Sequence, residues 1–331
     1  MIKIWTERAV PPMVLPELLR VAEHIGAGTD HPEDRLRGVE RAQAIIASAT
    51  ITYDAAFMEK VPHLKVISRT GIGIDNIVVT DATAHGIAVC STPDGPSVST
   101  AEHTITLMLC VAKQIKRMEK ALLERTTNDF VSYHQGMELD GRVLGLVGLG
   151  RIGKRVAAIA QALGMTVVAY DPFIDKNQLV ALGLTAVDSI EAVLTEADVV
   201  SLHLPLTPDT RHLMNADRFG LMKPGALFVN AARGGLVDEQ ALICALDSGR
   251  LAGAGLDVFS PEPPPVGHPL LGRENVVATP HIAGITLASK ERMWRMAIDN
   301  AVKVVNGERP SSIVNPEVLN RSAGTPPAGG R

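Results

Sequence analysis

Short apolar runs alternate with stretches of helical spacing along almost the whole chain. Residues 2–5, 44–47, 66–68 and 87–90 have the pattern of buried strands. Between them, residues 15–25, 53–59 and 77–85 repeat apolar positions at helical intervals. This alternation predicts βα units that build a parallel sheet covered by helices. Residues 99–123 form a longer helical stretch, with Ile105, Leu109, Ala112 and Ile115 on its apolar positions. Its start pairs a Ser99 cap with Glu102. Residues 124–139 are polar and irregular and predict a loop or arm.

A second series follows. Strands are predicted at 143–147, 166–170, 184–186, 199–202, 227–230, 254–257 and 276–278, with helices at 151–163, 189–195 and 239–247. Residues 260–269 carry five prolines and predict a constrained loop. Residues 286–306 read as one long helix ending at Gly307, and the Gly/Pro/Ser/Ala-rich tail 319–331 as disordered. No repeat of solenoid period is present, but the two βα series fit two similar domains.

Composition agrees with that picture. A chain of 331 residues fits about two domains. With 46% hydrophobic and 21% charged residues it can fill a core, and 3% aromatics make that core mainly aliphatic. The net charge of -4 argues against a nucleic-acid binder that relies on global basic charge. Cys90, Cys110 and Cys244 are too few and too scattered for a disulfide framework or a zinc knuckle, so no metal is expected. Cys110 and Cys244 lie in apolar helical patterns and read as buried thiols. Without a signal-like start or an apolar run of membrane-spanning length, a cytoplasmic protein outside the membrane is expected.

Candidate chemistry begins at Gly148-Leu149-Gly150-Arg151-Ile152-Gly153. This G-x-G-x-x-G follows a predicted strand and opens a predicted helix, and Asp171 ends the next strand about twenty residues on. Gly148 permits the turn, Gly150 lets backbone approach a pyrophosphate, and Gly153 allows helix and strand to pack closely. The phosphates would meet free N–H groups at the positive end of the helix. Asp171 can accept from a ribose diol and would repel a 2′-phosphate, so NAD is favoured over NADP.

Three further residues follow predicted strands: Arg233, Glu262 and His281. Ligands of open parallel sheets bind beyond the carboxyl ends of the strands. Reduction of a 2-oxo acid needs an anchor for the carboxylate, polarisation of the carbonyl, and a proton. Arg233 can supply the first two and His281 the third, while Glu262 in contact with the imidazole would favour and orient its protonated form. His103, on a helix, is read as structural.

At these residues the chain resembles the D-isomer-specific 2-hydroxyacid dehydrogenases, of the phosphoglycerate dehydrogenase-like branch that lacks a regulatory domain. The matching motifs are Arg69-Thr70-Gly71-Ile72-Gly73-Ile74-Asp75-Asn76, Thr100-Ala101-Glu102-His103, the glycine turn, the segments 230–238, 255–259 and 279–284. The resemblance implies a flavodoxin-like substrate domain from 1–98 and 286–318, and a Rossmann NAD-binding domain from 99–285. It implies an active site in the cleft between them and hinges near 97–99 and 285–287. It also implies the catalytic trio Arg233, Glu262 and His281. NAD contacts are implied for Thr100, Arg151, Ile152, Asp171, Leu204, Pro205, Ala231, Ala232, Arg233, Asp257, His281 and Gly284. Substrate contacts are implied for Arg69, Ile72, Gly73 and Arg233. A homodimer through the cofactor domain is implied as well. Ala47 stands where phosphoglycerate dehydrogenases commonly carry an arginine. The resemblance implies a small 2-oxo or 2-hydroxy acid as substrate, with 3-phosphoglycerate, glyoxylate and hydroxypyruvate all open. An NAD(H)-sensing, corepressor-like binding protein is the alternative of a different class.

Overall fold

The computed structural model describes residues 1–321. The chain forms two compact units: Met1–Pro96 with the chain from Ile285 onward, and Ser97–Gly284. Each is an α/β unit built on one parallel sheet, as the βα alternation predicts.

The first unit contains β1 (Ile2–Thr6), β2 (Ala22–Ala27), β3 (Ala44–Ala47), β4 (Val66–Arg69) and β5 (Ala88–Cys90). Their order is β2-β1-β3-β4-β5, all parallel. Successive side chains face opposite sides, so each strand supplies two cores. Trp5, Ile45, Ile67 and Val89 pack with Tyr53 and Phe57 on one side. On the other, Ile4, Ile46, Val66 and Ala88 pack with Trp294, Ala297, Ile298 and Ala301 of the helix Leu287–Val305. Thr286 caps that helix by accepting from the Ser289 N–H.

The loop after β3 is held by a buried acid. Glu7, just past β1, is 0% exposed. It accepts from the N–H groups of Ser48 at 2.6 Å and Thr50 at 2.7 Å. It also accepts from the Thr50 hydroxyl at 2.5 Å and the Tyr53 phenol at 2.8 Å. Burial, and then the neighbouring Glu7, push the Tyr53 phenol well above its usual pKa, so it remains a donor.

The second unit contains β6 (Val143–Val147), β7 (Thr166–Tyr170), β8 (Thr185–Ala186), β9 (Val199–Leu202), β10 (Ala226–Asn230), β11 (Leu251–Leu256) and β12 (Val276–Ala278). The order is β12-β11-β10-β9-β6-β7-β8, again parallel throughout. Winding reverses between β6 and β9, which opens a crevice at the carboxyl ends of those strands.

Several elements differ from the sequence reading. The helix expected over 15–25 is Leu15–Val21, and Ala22 turns extended to begin β2. Parallel ladder bonding to β1, from Ile2 opposite Ala22, overrides the local helical spacing. The helix expected over 99–123 is two, Ser97–Ala112 and Ile115–Glu124, broken at Gln114 in the left-handed region (φ 52). Ser99 therefore lies inside the first turn and is not its cap. A short helix, Phe130–Tyr133, interrupts the region read as loop. Residues 319–321 of the expected disordered tail belong to the helix Glu317–Arg321, and 322–331 lie outside the described residues. Cys90 is buried, but of the two thiols read as buried Cys110 is half-buried and Cys244 is exposed. Its helix, Glu239–Asp247, buries Ala241, Leu242, Ala245 and Leu246 instead. Among the described residues, no helix is long and apolar enough to cross a membrane.

Glu7→Gln tests how far the first unit depends on that carboxylate. The amide would set N–H groups against N–H donors. It should cost about 2–4 kcal/mol and lower the melting temperature in calorimetry. An unchanged melting temperature would contradict this.

Candidate active site

The glycine turn joins β6 to the helix Arg151–Ala162. Gly148 has φ 92, and a Cβ there would lie 2.6 Å from the His203 carbonyl oxygen. A Cβ on Gly153 would lie 2.6 Å from the Gly148 carbonyl oxygen. Both glycines are therefore required by packing. Gly150 differs: a Cβ there would meet nothing within 4 Å. No side chain caps the helix at Gly150. N–H groups of its first turn, those of Ile152 and Gly153 among them, lie where a phosphate can accept from them.

Asp171 follows β7 and braces the turn. Its carboxylate accepts from the Leu149 N–H at 2.8 Å and the Phe173 N–H at 2.9 Å, one per oxygen. Each oxygen keeps a lone pair for a ribose hydroxyl. The open face at Gly150, the uncapped helix and this carboxylate together fit a dinucleotide. Leu204 and Pro205 follow β9, beside the same crevice. His203 precedes them, with its Nε2 bonded to Ser201 Oγ at 2.9 Å, and burial pushes its pKa down to about 4. Thr100 is buried within the helix Ser97–Ala112.

Arg233, Glu262 and His281 come together in this unit. Arg233 lies in the turn after β10. Buried Asn230 shapes that turn, accepting from the Ala232 N–H at 3.0 Å and donating to the Arg233 carbonyl at 2.9 Å. A Cβ on Gly234 would lie 2.0 Å from the Phe259 carbonyl oxygen, so this turn presses directly on the loop that carries Glu262. The Phe259 N–H donates to Glu262 Oε1 at 2.9 Å. His281 Nδ1 donates to Glu262 Oε2 at 2.7 Å, which leaves Nε2 for a substrate. Burial raises the Glu262 pKa. The bonds from His281 and Phe259, with the charges of His281 and Arg233, outweigh that and hold it below its ordinary value. Glu262 thus gives up its proton at a lower pH than an ordinary glutamate.

His281 has φ 54, uncommon for a residue with a side chain and a strain of about 1–3 kcal/mol. Asp257 holds it there. The Asp257 carbonyl accepts from the His281 N–H at 2.7 Å. Its carboxylate, 0% exposed, accepts from Thr279 Oγ1 at 2.6 Å and from the N–H groups of Ile282 at 2.9 Å and Ala283 at 2.8 Å. His103 Nε2 lies 2.9 Å from Thr279 Oγ1 and 3.6 Å from Asp257. Asp257, expected at the cofactor, also holds the turn that carries His281 and Gly284. His103 is part of that scaffold.

Two residues of the scaffold went unforeseen. Glu239 accepts from the Ser260 N–H at 2.9 Å and bonds His268 at 3.0 Å, pinning both ends of the proline loop. Thr279 links His103 to Asp257. Glu239 lies outside the matching motifs and Thr279 opens one of them, but only the fold brings either to its partners. Arg69, Ile72 and Gly73 belong to the first unit, at and after the end of β4. Ile72 is exposed there.

A parallel doubly wound sheet with a phosphate-binding turn and an acid–histidine pair at its strand ends defines a dinucleotide-dependent dehydrogenase architecture. Comparison with known proteins agrees. Residues 105–283 match the family model described as D-isomer specific 2-hydroxyacid dehydrogenase, NAD binding domain. The D-3-phosphoglycerate dehydrogenase of Methanocaldococcus jannaschii is 41% identical over 283 residues, 86% of this chain and 53% of that protein. The glyoxylate reductase of Thermofilum pendens is 37% identical over 329 residues, 96% of this chain and 95% of that one. The crystal structure of D-lactate dehydrogenase from Aquifex aeolicus, complexed with NAD and lactic acid, superposes with a TM-score of 0.80 at 32% identity, covering 92% and 96%. The chain spans only about half the length of the phosphoglycerate dehydrogenases it matches. The chain belongs to the D-isomer specific 2-hydroxyacid dehydrogenase family.

Substitutions in the glycine turn should separate folding from binding. Gly148→Ala should destabilise the unit by about 1–3 kcal/mol through strain and overlap. Gly150→Val should fold normally and weaken NADH binding at least about tenfold by filling the phosphate approach. Thermal melts and NADH fluorescence titrations read the two effects.

Proposed function

We propose that this chain is an NAD-dependent dehydrogenase that interconverts a D-2-hydroxy acid and the matching 2-oxo acid. The observation that carries the reading is the 2.7 Å His281–Glu262 hydrogen bond, in the unit that holds the phosphate turn. Bound NADH supplies a hydride to the carbonyl carbon of the 2-oxo acid. The chain's residues do the rest. Arg233 offers a fork of N–H donors to the substrate carboxylate and carbonyl oxygen. His281 Nε2 gives a proton to that oxygen, so the hydride makes the C–H bond and the proton the O–H bond of the 2-hydroxy acid; oxidation runs the same transfers in reverse. Glu262 holds Nδ1 protonated and compensates the ring's charge. The remaining named positions are cofactor contacts (Thr100, Arg151, Ile152, Leu204, Pro205, Ala231, Ala232, Asp257, Gly284) and substrate contacts (Arg69, Ile72, Gly73).

Two substrates compete. The identity to phosphoglycerate dehydrogenases supports 3-phosphohydroxypyruvate. The end-to-end match to a glyoxylate reductase supports glyoxylate or hydroxypyruvate. Oxidation of NADH with all three acids decides between them. His281→Ala should lower kcat by about 10²–10⁴-fold, and Glu262→Gln by a smaller factor, with NADH binding retained. Tight NADH binding without turnover of any acid would instead favour the sensor role.

We further infer a homodimer through the second unit. Leu122 is 60% exposed, Leu123 77% and Val131 88%, all on the segment that follows the break at Gln114. Apolar side chains so placed fit a protein interface. Light scattering should give twice the 35.2 kDa chain mass. Leu122→Glu with Leu123→Glu should give the monomer. The free cysteines suit a reducing, cytoplasmic compartment.

A further inference from the structure

The first sheet has a switch point of its own. Its order, β2-β1-β3-β4-β5, reverses the winding between β1 and β3. The crevice at the carboxyl ends of two such strands is where open parallel sheets bind ligands. Here that crevice is floored by the Glu7 carboxylate, which holds the loop after β3 from below. Asn76 holds the same loop from its other side, donating to the carbonyls of Ser48 at 3.0 Å and Ile51 at 2.7 Å. Two side chains thus satisfy four backbone groups within residues 48–51, and the loop is rigid without regular structure.

Two hydroxyls of the loop each hold an arginine, that of Thr50 while also donating to Glu7. Arg8 Nε donates to Ser48 Oγ at 2.9 Å, and Arg35 Nη2 donates to Thr50 Oγ1 at 2.9 Å. The Arg35 backbone is seated close by: a Cβ on Gly28 would lie 2.8 Å from the Arg35 carbonyl oxygen and 3.0 Å from that of Glu7. Both arginines are exposed. Among the described residues neither has a carboxylate within ion-pair distance. The Ser48 hydroxyl hydrogen likewise finds no acceptor among them. Ser48 and Thr50 are two positions apart, so their Cα atoms lie within about 7 Å. Both guanidinium groups thus rest on hydroxyls of one three-residue segment, although the Glu7 carboxylate lies against that same segment. Each has used a single N–H and keeps the remainder of its fork.

We propose that Arg8, Ser48 and Arg35 form an oxyanion site for phosphate, either free or as a phosphate monoester. A phosphate has enough oxygens to meet two forks and a hydroxyl at once; a carboxylate has only two. Where the phosphate is the far end of a 2-oxo acid substrate, the site deepens the dehydrogenase reading and rests on it. Where it is free phosphate, the site stands independently.

The test is a calorimetric titration of inorganic phosphate at low ionic strength. It uses the full chain and its variants Arg8→Gln, Arg35→Gln and the double variant, with Arg20→Gln as a distant surface control. Each single change should weaken binding by about tenfold, and added salt should weaken binding to the unaltered chain. The double variant should bind no phosphate, and the control should match the unaltered chain. Arg8→Lys, which keeps the charge but not the fork, should fall between. A second arm compares kcat/KM for 3-phosphohydroxypyruvate and hydroxypyruvate. A fall in that ratio in the double variant assigns the phosphate to the substrate. An unchanged ratio, with phosphate binding lost, assigns the site to free phosphate. Equal phosphate binding by the unaltered chain and a folded double variant, or no binding by the unaltered chain, overturns the proposal. If no 2-oxo acid is reduced, the dehydrogenase reading fails, while the titration still decides the anion site.

Discussion

One buried charge organises the catalytic candidates. The Asp257 carboxylate has no exposed surface and gathers a hydroxyl and two backbone N–H groups. An ionised carboxylate removed from water without such donors is strongly unfavourable. Those donors can reach it only if residues 279–283 fold back over the end of β11. That requirement carries the chain through the left-handed conformation at His281 and turns the imidazole toward Glu262. The strain at one residue is offset by several charge-assisted bonds at its neighbours.

The same logic recurs around the other two candidates. Arg233 sits on a turn whose shape comes from a buried asparagine, and Glu262 on a loop pinned by Glu239. The two meet where Gly234 lets one backbone touch the other. None of the three reactive side chains determines its own position. Each is set by a neighbour that has no chemistry to perform, which is how a site holds its geometry before a substrate arrives.

What could be read from the residues alone follows from how local each signal is. The glycine turn is legible because strand, turn and helix are contiguous, and the structure shows why two of its glycines cannot change. Arg233, Glu262 and His281 are legible as residues just past strands of a parallel sheet. β2 is not, because Ala22–Ala27 has helical spacing and becomes a strand only through pairing with β1. The break at Gln114 has no proline or glycine to announce it. Asp257, His103 and Thr279 all lie in legible motifs, but that the three meet is not legible, because their contacts join positions 154 and 22 apart.

The discontinuous first unit has a consequence for the order of folding. Trp294, Ala297, Ile298 and Ala301, which cover one side of its sheet, arrive only after the entire second unit has been made. So does the segment that closes the edge of β5, through the Val314 N–H bonded to the Val89 carbonyl and Asn315 bonded to Val89 and Ile87. A ribosome therefore releases a second unit that is contiguous and ready to collapse, ahead of a first unit with one bare apolar face. Closing that face joins residues separated by some two hundred positions, the kind of long-range contact that slows folding. During synthesis the older half of this chain is the more exposed to aggregation, and its last helix is the piece that ends the exposure.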